Sequence, residues 1–251
     1  MPNVDILGVA AHPDDVELSC AGTMLAAKQA GKRTAIVDLT LGELSTRGTL
    51  ETRAQETEIA SNVLGLDARY NLGLPDGGVE PTKENIRKLV KYFRMLKPTI
   101  VLAPHFSERH PDHEATAEIV HQAAFFAGLA KIETIGDDGK PQEPCRPLLV
   151  LHFMQTYVFE PKLIVDVTSV FEDRMRCVQA YGSQFGRTEG GKKIDSKEKE
   201  TFLTQSGFYE WIEARARHYG MQIGAEYGEP FWCQGAVGLK DVFSAVTKRI
   251  A

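Results

Sequence analysis

Cysteine is scarce and scattered. Cys20, Cys145, Cys177 and Cys233 are the only four in 251 residues, and no two form a CxxC pair. That spacing excludes a dense disulfide framework and a structural zinc knuckle, and it suits a reducing compartment, so a cytoplasmic protein is expected. No apolar run approaches the roughly 20 residues that span a bilayer, and the chain opens on a strand pattern rather than a charged and then apolar leader. A basic block is also missing: the net charge of −5 comes from intermixed acids and bases, which argues against nucleic acid or an anionic membrane as partner. With no Ser/Gly-rich linker and no internal repeat, one domain over residues 1–251 is expected.

What the chain does contain is an alternation of short apolar runs with longer amphipathic ones, the pattern of parallel βαβ units. It predicts strands at Asp5–Ala10, Thr34–Leu39, Ala68–Asn71, Thr99–Ala103, Leu148–Gln155 and Lys162–Asp166. Helices are predicted at Glu17–Ala30, Leu50–Leu64, Thr82–Leu96, Pro111–Gly128, Thr168 to about Tyr181, and Ser196–Tyr219, with Gly31 and Gly65 as C-terminal stops. Asp137–Pro147 and Gly182–Lys193 read as loops. The expected fold class is therefore α/β, a Rossmann-like, mostly parallel sheet flanked by helices.

Two polar clusters interrupt this pattern at equivalent places. Ala11-His12-Pro13-Asp14-Asp15-Val16-Glu17 follows the first strand, and His105-Phe106-Ser107-Glu108-Arg109-His110-Pro111-Asp112-His113 follows the strand at Thr99–Ala103. Pro13 disfavours continuation of a central strand or a helix interior, which puts His12, Asp14 and Asp15 on a connecting loop. In an open parallel sheet both loops leave from the carboxyl edge, where ligands bind, and can meet. Catalytic zinc commonly takes three ligands from His, Asp and Glu and keeps a fourth position for water. His12, Asp15 and His113 would supply such a set, leaving Asp14 and His110 as uncoordinated groups beside it. Taken singly, Asp14 or Asp15 could cap the following helix, and a lone His is more often structural; the pairing of two such clusters favours the metal.

The same residues carry a resemblance. Ala11-His12-Pro13-Asp14-Asp15 with Glu17, and His110-Pro111-Asp112-His113, resemble the motifs of the PIG-L or LmbE-like zinc-dependent N-deacetylases of amino sugars, and the stretch from Leu39 through Gly48 to Glu56 continues the likeness. Within that family the chain looks most like the bacillithiol-pathway deacetylases, which remove acetate from N-acetylglucosaminyl malate. This rests on Ile36–Thr40, Gly42-Glu43-Leu44, Thr46-Arg47-Gly48, Asn71–Gly77 and Tyr181–Phe185; Ser19 and Ala21 depart from it, standing where glycines are usual. The resemblance implies an LmbE-like fold, a small amino-sugar substrate, Zn2+ or another divalent ion on His12, Asp15 and His113, Asp14 as general base, and a homo-oligomer, with a hexamer among the options.

Further roles are expected on chemical grounds. His110 is the candidate to stabilise the oxyanion, with Asp112 fixing its tautomer or holding it protonated. Arg53 and Arg109 offer planar guanidinium forks suited to a malate carboxylate, although Arg53 could equally be a solvated helix residue paired with an acid. Glu43 belongs to a possible substrate loop with Gly42, Thr46, Arg47 and Gly48, against the alternative of a plain turn; Tyr181 could face the substrate or pack in the core. Gly73–Gly78 lacks the Lys-Ser/Thr ending of a P-loop and reads as a turn, and Trp211 and Trp232 read as core or interface residues. A nucleotide-binding module is disfavoured because the first loop has A-H-P-D-D in place of G-x-G-x-x-G. A silent sugar-binding relative is disfavoured by the intact Asp14. Deacetylation of another N-acetylglucosaminyl compound, or hydrolysis of a thiol-conjugate amide, is the alternative among enzymes.

Overall fold

The computed structural model describes residues 3–186 and 198–246. In chain order the elements are β1 Ile6–Ala10, α1 Asp15–Gln29, β2 Thr34–Asp38, α2 Leu50–Leu64, β3 Ala68–Asn71, α3 Lys83–Leu96 and β4 Ile100–Pro104, followed by α4 Pro111–Ala127, β5 Leu149–Phe153 and β6 Leu163–Asp166, then α5 Phe171–Gln179, α6 Gly182–Phe185, α7 Phe208–Gln222 and β7 Gly228–Trp232. The strands form one sheet in the order β3-β2-β1-β4-β5-β7-β6. The first five are parallel, and β7 runs antiparallel between β5 and β6.

β1 is apolar throughout because both faces of the sheet are covered. Leu7 and Val9 point into one core, with Leu89 and Phe93 of α3 and Ile119 and Val120 of α4. Ile6 and Ala10 point the other way, onto Val16 and Met24 of α1 and Cys177 of α5. The chain winds outward from β1 through β2 to β3 and then returns to place β4 on the opposite side of β1. That reversal opens a crevice at the carboxyl ends of β1 and β4. Both polar clusters leave from those two ends.

α1 is broken at Cys20, whose φ of −148° and ψ of 22° are not helical. The break frees the Gly22 and Thr23 amides, which donate to the Glu229 carboxylate of β7 at 2.9 and 2.7 Å, and Arg174 lies 3.3 Å from the same group. Gly22 also allows close approach, since a Cβ there would lie 2.8 Å from Val167. Ser19 and Ala21, the departures from the family pattern, are buried beside this break and touch helix packing.

Two expectations need correction, and one strand was not expected at all. The strand Gly228–Trp232 is absent from the sequence pattern, because Gly228 and Pro230 are poor strand residues and Pro230 gives up a ladder donor inside the sheet. The helix expected over Ser196–Tyr219 starts only at Phe208, after Gly207 at φ 89°; Ser196 lies outside the described residues. The loop expected at Gly182–Lys193 begins instead with the short helix α6, and its residues 187–193 lie outside the described residues.

Candidate active site

The loop after β1 is shaped by backbone contacts before any ligand is considered. Asp15 Oδ2 accepts the His12 amide at 2.8 Å, which folds the His-Pro-Asp-Asp turn on itself. Asp14 precedes α1 at φ 134° and makes no capping bond, so the simple helix-cap explanation fails for it. A non-glycine residue held in that region costs on the order of 1–3 kcal/mol. Strain of this kind accompanies residues that are positioned for chemistry.

From the other side of the crevice, His110 caps α4 and Pro111 fills its first position, which places His113 one turn further on and inward. His113 Nε2 lies 3.3 Å from His12 Nδ1 and 3.2 Å from Asp15 Oδ1; His12 Nδ1 is 3.6 Å from Asp15 Oδ2. Tetrahedral ligands at about 2.0–2.2 Å from an ion stand roughly 3.3–3.6 Å from each other. The separations here are of that size, although the two histidines reach different Asp15 oxygens; one oxygen and the two ring nitrogens lie within 4.8 Å of one another. Their donor set of two imidazoles and a carboxylate suits zinc and similar divalent ions. The buried Asp15 carboxylate is held well below the usual range: burial alone would raise it, and His113 and His12 more than reverse that.

Outer contacts fix these ligands. His12 Nε2 meets Asp76 Oδ1 at 3.0 Å, a carboxylate-histidine pair of the kind that orients metal ligands. Asp112 Oδ2 lies 3.4 Å from the same nitrogen. Burial lowers the His12 pKa, but its bonds to Asp112, Asp15 and Asp76 drive it well above normal. Three carboxylates thus surround the His12 ring and favour its charged form. Gln155, just past β5, donates to Asp15 Oδ1 at 2.7 Å.

Asp14 and His110 face the same cavity. The buried Asp14 carboxyl is raised to about 7, first by burial, with Arg53 opposing from 3.2 Å. His110 Nδ1 accepts the Asp112 amide at 3.2 Å, so a neutral ring carries its proton on Nε2. Burial and the neighbouring His12 and His113 lower its pKa. Contrary to expectation, the Asp112 carboxylate does not hold His110. It accepts the Gly77 and Val79 amides and faces His12, and the tautomer is set by the Asp112 backbone instead.

The cavity measures about 290 Å³ and is lined by His12, Asp14, Asp15, Arg53, Arg109, His110 and His113 among others. Arg53 is buried and engaged with Pro13 O, Asp14 and Ser45, so its charge is already answered. Arg109 is exposed and stacks over Phe202, with 4.9 Å from its guanidinium to the ring centroid. Glu43 does not line the cavity; it accepts the Asp76 amide at 2.8 Å and so steadies the partner of His12. Tyr181 is also absent from the lining. Its ring is fully buried and its hydroxyl donates to Glu17 at 3.0 Å, so the core alternative holds for it.

Among the lining residues assigned no site role from the sequence are Asp76, Gln155, Trp211 and Arg215. Asp76 and Gln155 follow β3 and β5, and applying the carboxyl-end rule to every parallel strand would have found them. Trp211 and Arg215 come from α7, and Trp211 is 38% exposed toward the cavity rather than a core residue. No local pattern announces them. Trp232 does pack inward, against His105, Phe106 and His152.

A Rossmann-like sheet with two histidines and an aspartate gathered at its switch point, beside a small-molecule cavity, defines the class of this protein. Residues 7–124 match the PIG-L family, under the description GlcNAc-PI de-N-acetylase, and that span contains both polar loops. The probable N-acetyl-alpha-D-glucosaminyl L-malate deacetylase 2 of Bacillus anthracis is 28% identical over 241 residues, covering 90% of this chain and 93% of that protein. The conserved protein TT1542 from Thermus thermophilus superposes with a TM-score of 0.81 at 36% identity, covering 94% of this chain and 97% of the other. GalB, the 4-carboxy-2-hydroxymuconate hydratase of Pseudomonas putida, shares the fold at a TM-score of 0.74 and 17% identity, over 95% of this chain and 99% of GalB. The fold alone therefore does not decide the reaction.

Proposed function

We propose that this protein is a zinc-dependent N-deacetylase that hydrolyses the acetamide of N-acetylglucosaminyl L-malate, as in bacillithiol biosynthesis. The observation that carries the reading is Asp14: a strained, buried carboxylate that faces the cavity beside the His12, Asp15 and His113 cluster without belonging to it. A pure binding protein has no use for such a base. The family description and the relative from Bacillus anthracis both name de-N-acetylation of glucosaminyl compounds, which supports the amino sugar and, through the second, the malate.

His12, Asp15 and His113 would hold the ion. When bound, it supplies acidified water and a polarised amide carbonyl. Asp14 accepts the proton shed by the attacking water and returns it to the sugar nitrogen. Arg53 keeps the Asp14 carboxylate aimed while it does so. His110 donates from Nε2 to the carbonyl oxygen as that oxygen gains charge. Water adds to the carbonyl carbon, the C–N bond breaks, and acetate and a free amine leave. Arg109, exposed at the cavity mouth, is the contact for a malyl carboxylate in this reading.

The reading extends to the whole chain as one cytoplasmic unit assembled as a homo-oligomer. Support for the single unit is the one sheet that joins β1 to β7, and exposed Leu148, Val158 and Met221 offer apolar surface for assembly. The test of substrate is acetate release by metal-reconstituted protein offered N-acetylglucosaminyl malate and, separately, N-acetylglucosamine. A strong preference for the conjugate is expected; equal turnover of both would remove the malate from the proposal, and no release from either would remove the deacetylase.

A further inference from the structure

Arg215 lies outside the span matched by the family and has no acid of its own. Its guanidinium donates to two backbone carbonyls, Leu18 O at 3.1 Å and Gln155 O, and rests 4.7 Å from the Trp211 ring centroid. The acids nearest to it are spent elsewhere. Glu229 receives Arg174 and the amides of Gly22 and Thr23, and Glu108 receives the amides of Arg109, Thr156 and Tyr157. Among the described residues no carboxylate lies within ion-pair distance of Arg215. Burial and the adjacent Arg174 lower its pKa to about 10, which still leaves it charged at neutral pH.

An unanswered guanidinium in a half-buried position is costly unless something completes it. Arg215 lines the same cavity as the catalytic cluster, and so does Arg109, also without an ion-pair partner among the described residues. The two arginines close a row of aromatic rings: Arg109 covers Phe202, Phe202 meets Phe208 at 5.7 Å, Phe208 meets Trp211 at 5.6 Å, and Arg215 covers Trp211. We propose that Arg215, together with Arg109, forms an anion subsite that takes a carboxylate from the part of the substrate attached to the sugar. The aromatic row holds the apolar body of that group, and the two guanidinium forks fix its charge. α7 thereby sets substrate choice, while the loops after β1 and β4 carry the chemistry. The proposal rests on the amino-sugar reading only for where the sugar lies.

The test is calorimetric titration of wild type, Arg215→Gln and Arg215→Lys with L-malate and with its uncharged dimethyl ester. Each is measured with zinc bound and after chelation, so that binding to the ion is separated. Loss of about tenfold or more in malate affinity is expected for Arg215→Gln with both forms of the protein, partial recovery for Arg215→Lys, and no change for the ester. Because Arg215 also ties α7 to α1 and to Gln155, a merely structural role would weaken acid and ester together, and that outcome overturns the proposal. So does malate binding that ignores Arg215, or wild type that fails to bind malate. Acetate release is scored separately. Arg215-dependent malate binding without deacetylation would keep the subsite and discard the proposed reaction; deacetylation with Arg215-independent binding would do the reverse.

Discussion

Asp76 Oδ1 stands 3.0 Å from His12 Nε2, on the ring edge opposite the nitrogen that faces Asp15 and His113. Glu43 holds the Asp76 amide and the Leu44 amide donates back to Asp76, so the loops after β2 and β3 together aim the His12 imidazole. Asp76→Asn should keep the fold and lower metal affinity by about 10–100-fold. Chelator competition measures this directly. Unchanged affinity would mean that the Asp76 contact is incidental.

Asp14→Asn separates the base from the ion. Asparagine tolerates positive φ, so the turn should survive. Turnover should fall by about 10²–10⁴-fold while metal content per chain stays at the wild-type level. Acetate assays alongside elemental analysis check both halves, and wild-type turnover in the variant would eliminate Asp14 as the base.

Glu229 is the acceptor for a broken helix rather than a member of the site. Glu229→Ala leaves two buried amides and Arg174 without their carboxylate. The expected loss is about 3–5 kcal/mol in urea unfolding. A change below about 1 kcal/mol would show that water or rearrangement satisfies the α1 break.

His152 gives a pH signature away from His12, Asp15 and His113. Burial, with the nearby His105 and His121, lowers its pKa to about 4, and its Nδ1 donates to Pro104 O at 2.6 Å. An unfolded histidine titrates near about 6.5. Between those values the unfolded chain binds a proton that the folded chain refuses, so this contribution to stability is full above about pH 6.5 and is lost as pH falls toward about 4. The effect is on the order of 3 kcal/mol across the window. His152→Gln should flatten that part of the stability curve in denaturant titrations at stepped pH, and an unchanged slope would refute the assignment.

Most of the parallel half of the fold was legible in the sequence because β1 and β2 are buried on both faces and several helices carry their own punctuation. Gly65, for instance, ends α2 in the left-handed region at φ 62°. β7 was illegible because its pairing overrides a glycine and a proline that argue locally against a strand. The meeting of His12, Asp15 and His113 was legible for a related reason: they lie beside strand ends and sit in short motifs. Asp76 hid in a Pro-Asp-Gly turn whose composition explains itself without a ligand. Arg215 and Trp211 reach the cavity only through the placement of α7, which is a tertiary property. Proximity in sequence assigns the Asp112 carboxylate to His110, and the fold turns it toward His12 instead.

The most direct measurement is acetate release from an N-acetylglucosaminyl substrate by the same protein as purified, after chelation, and after zinc is returned. Release that disappears with the metal and returns with about one ion per chain is the predicted result. Full-rate release from the chelated protein, or none from the zinc-loaded protein with any N-acetylglucosamine derivative, would contradict a metal-dependent N-deacetylase built on His12, Asp15 and His113.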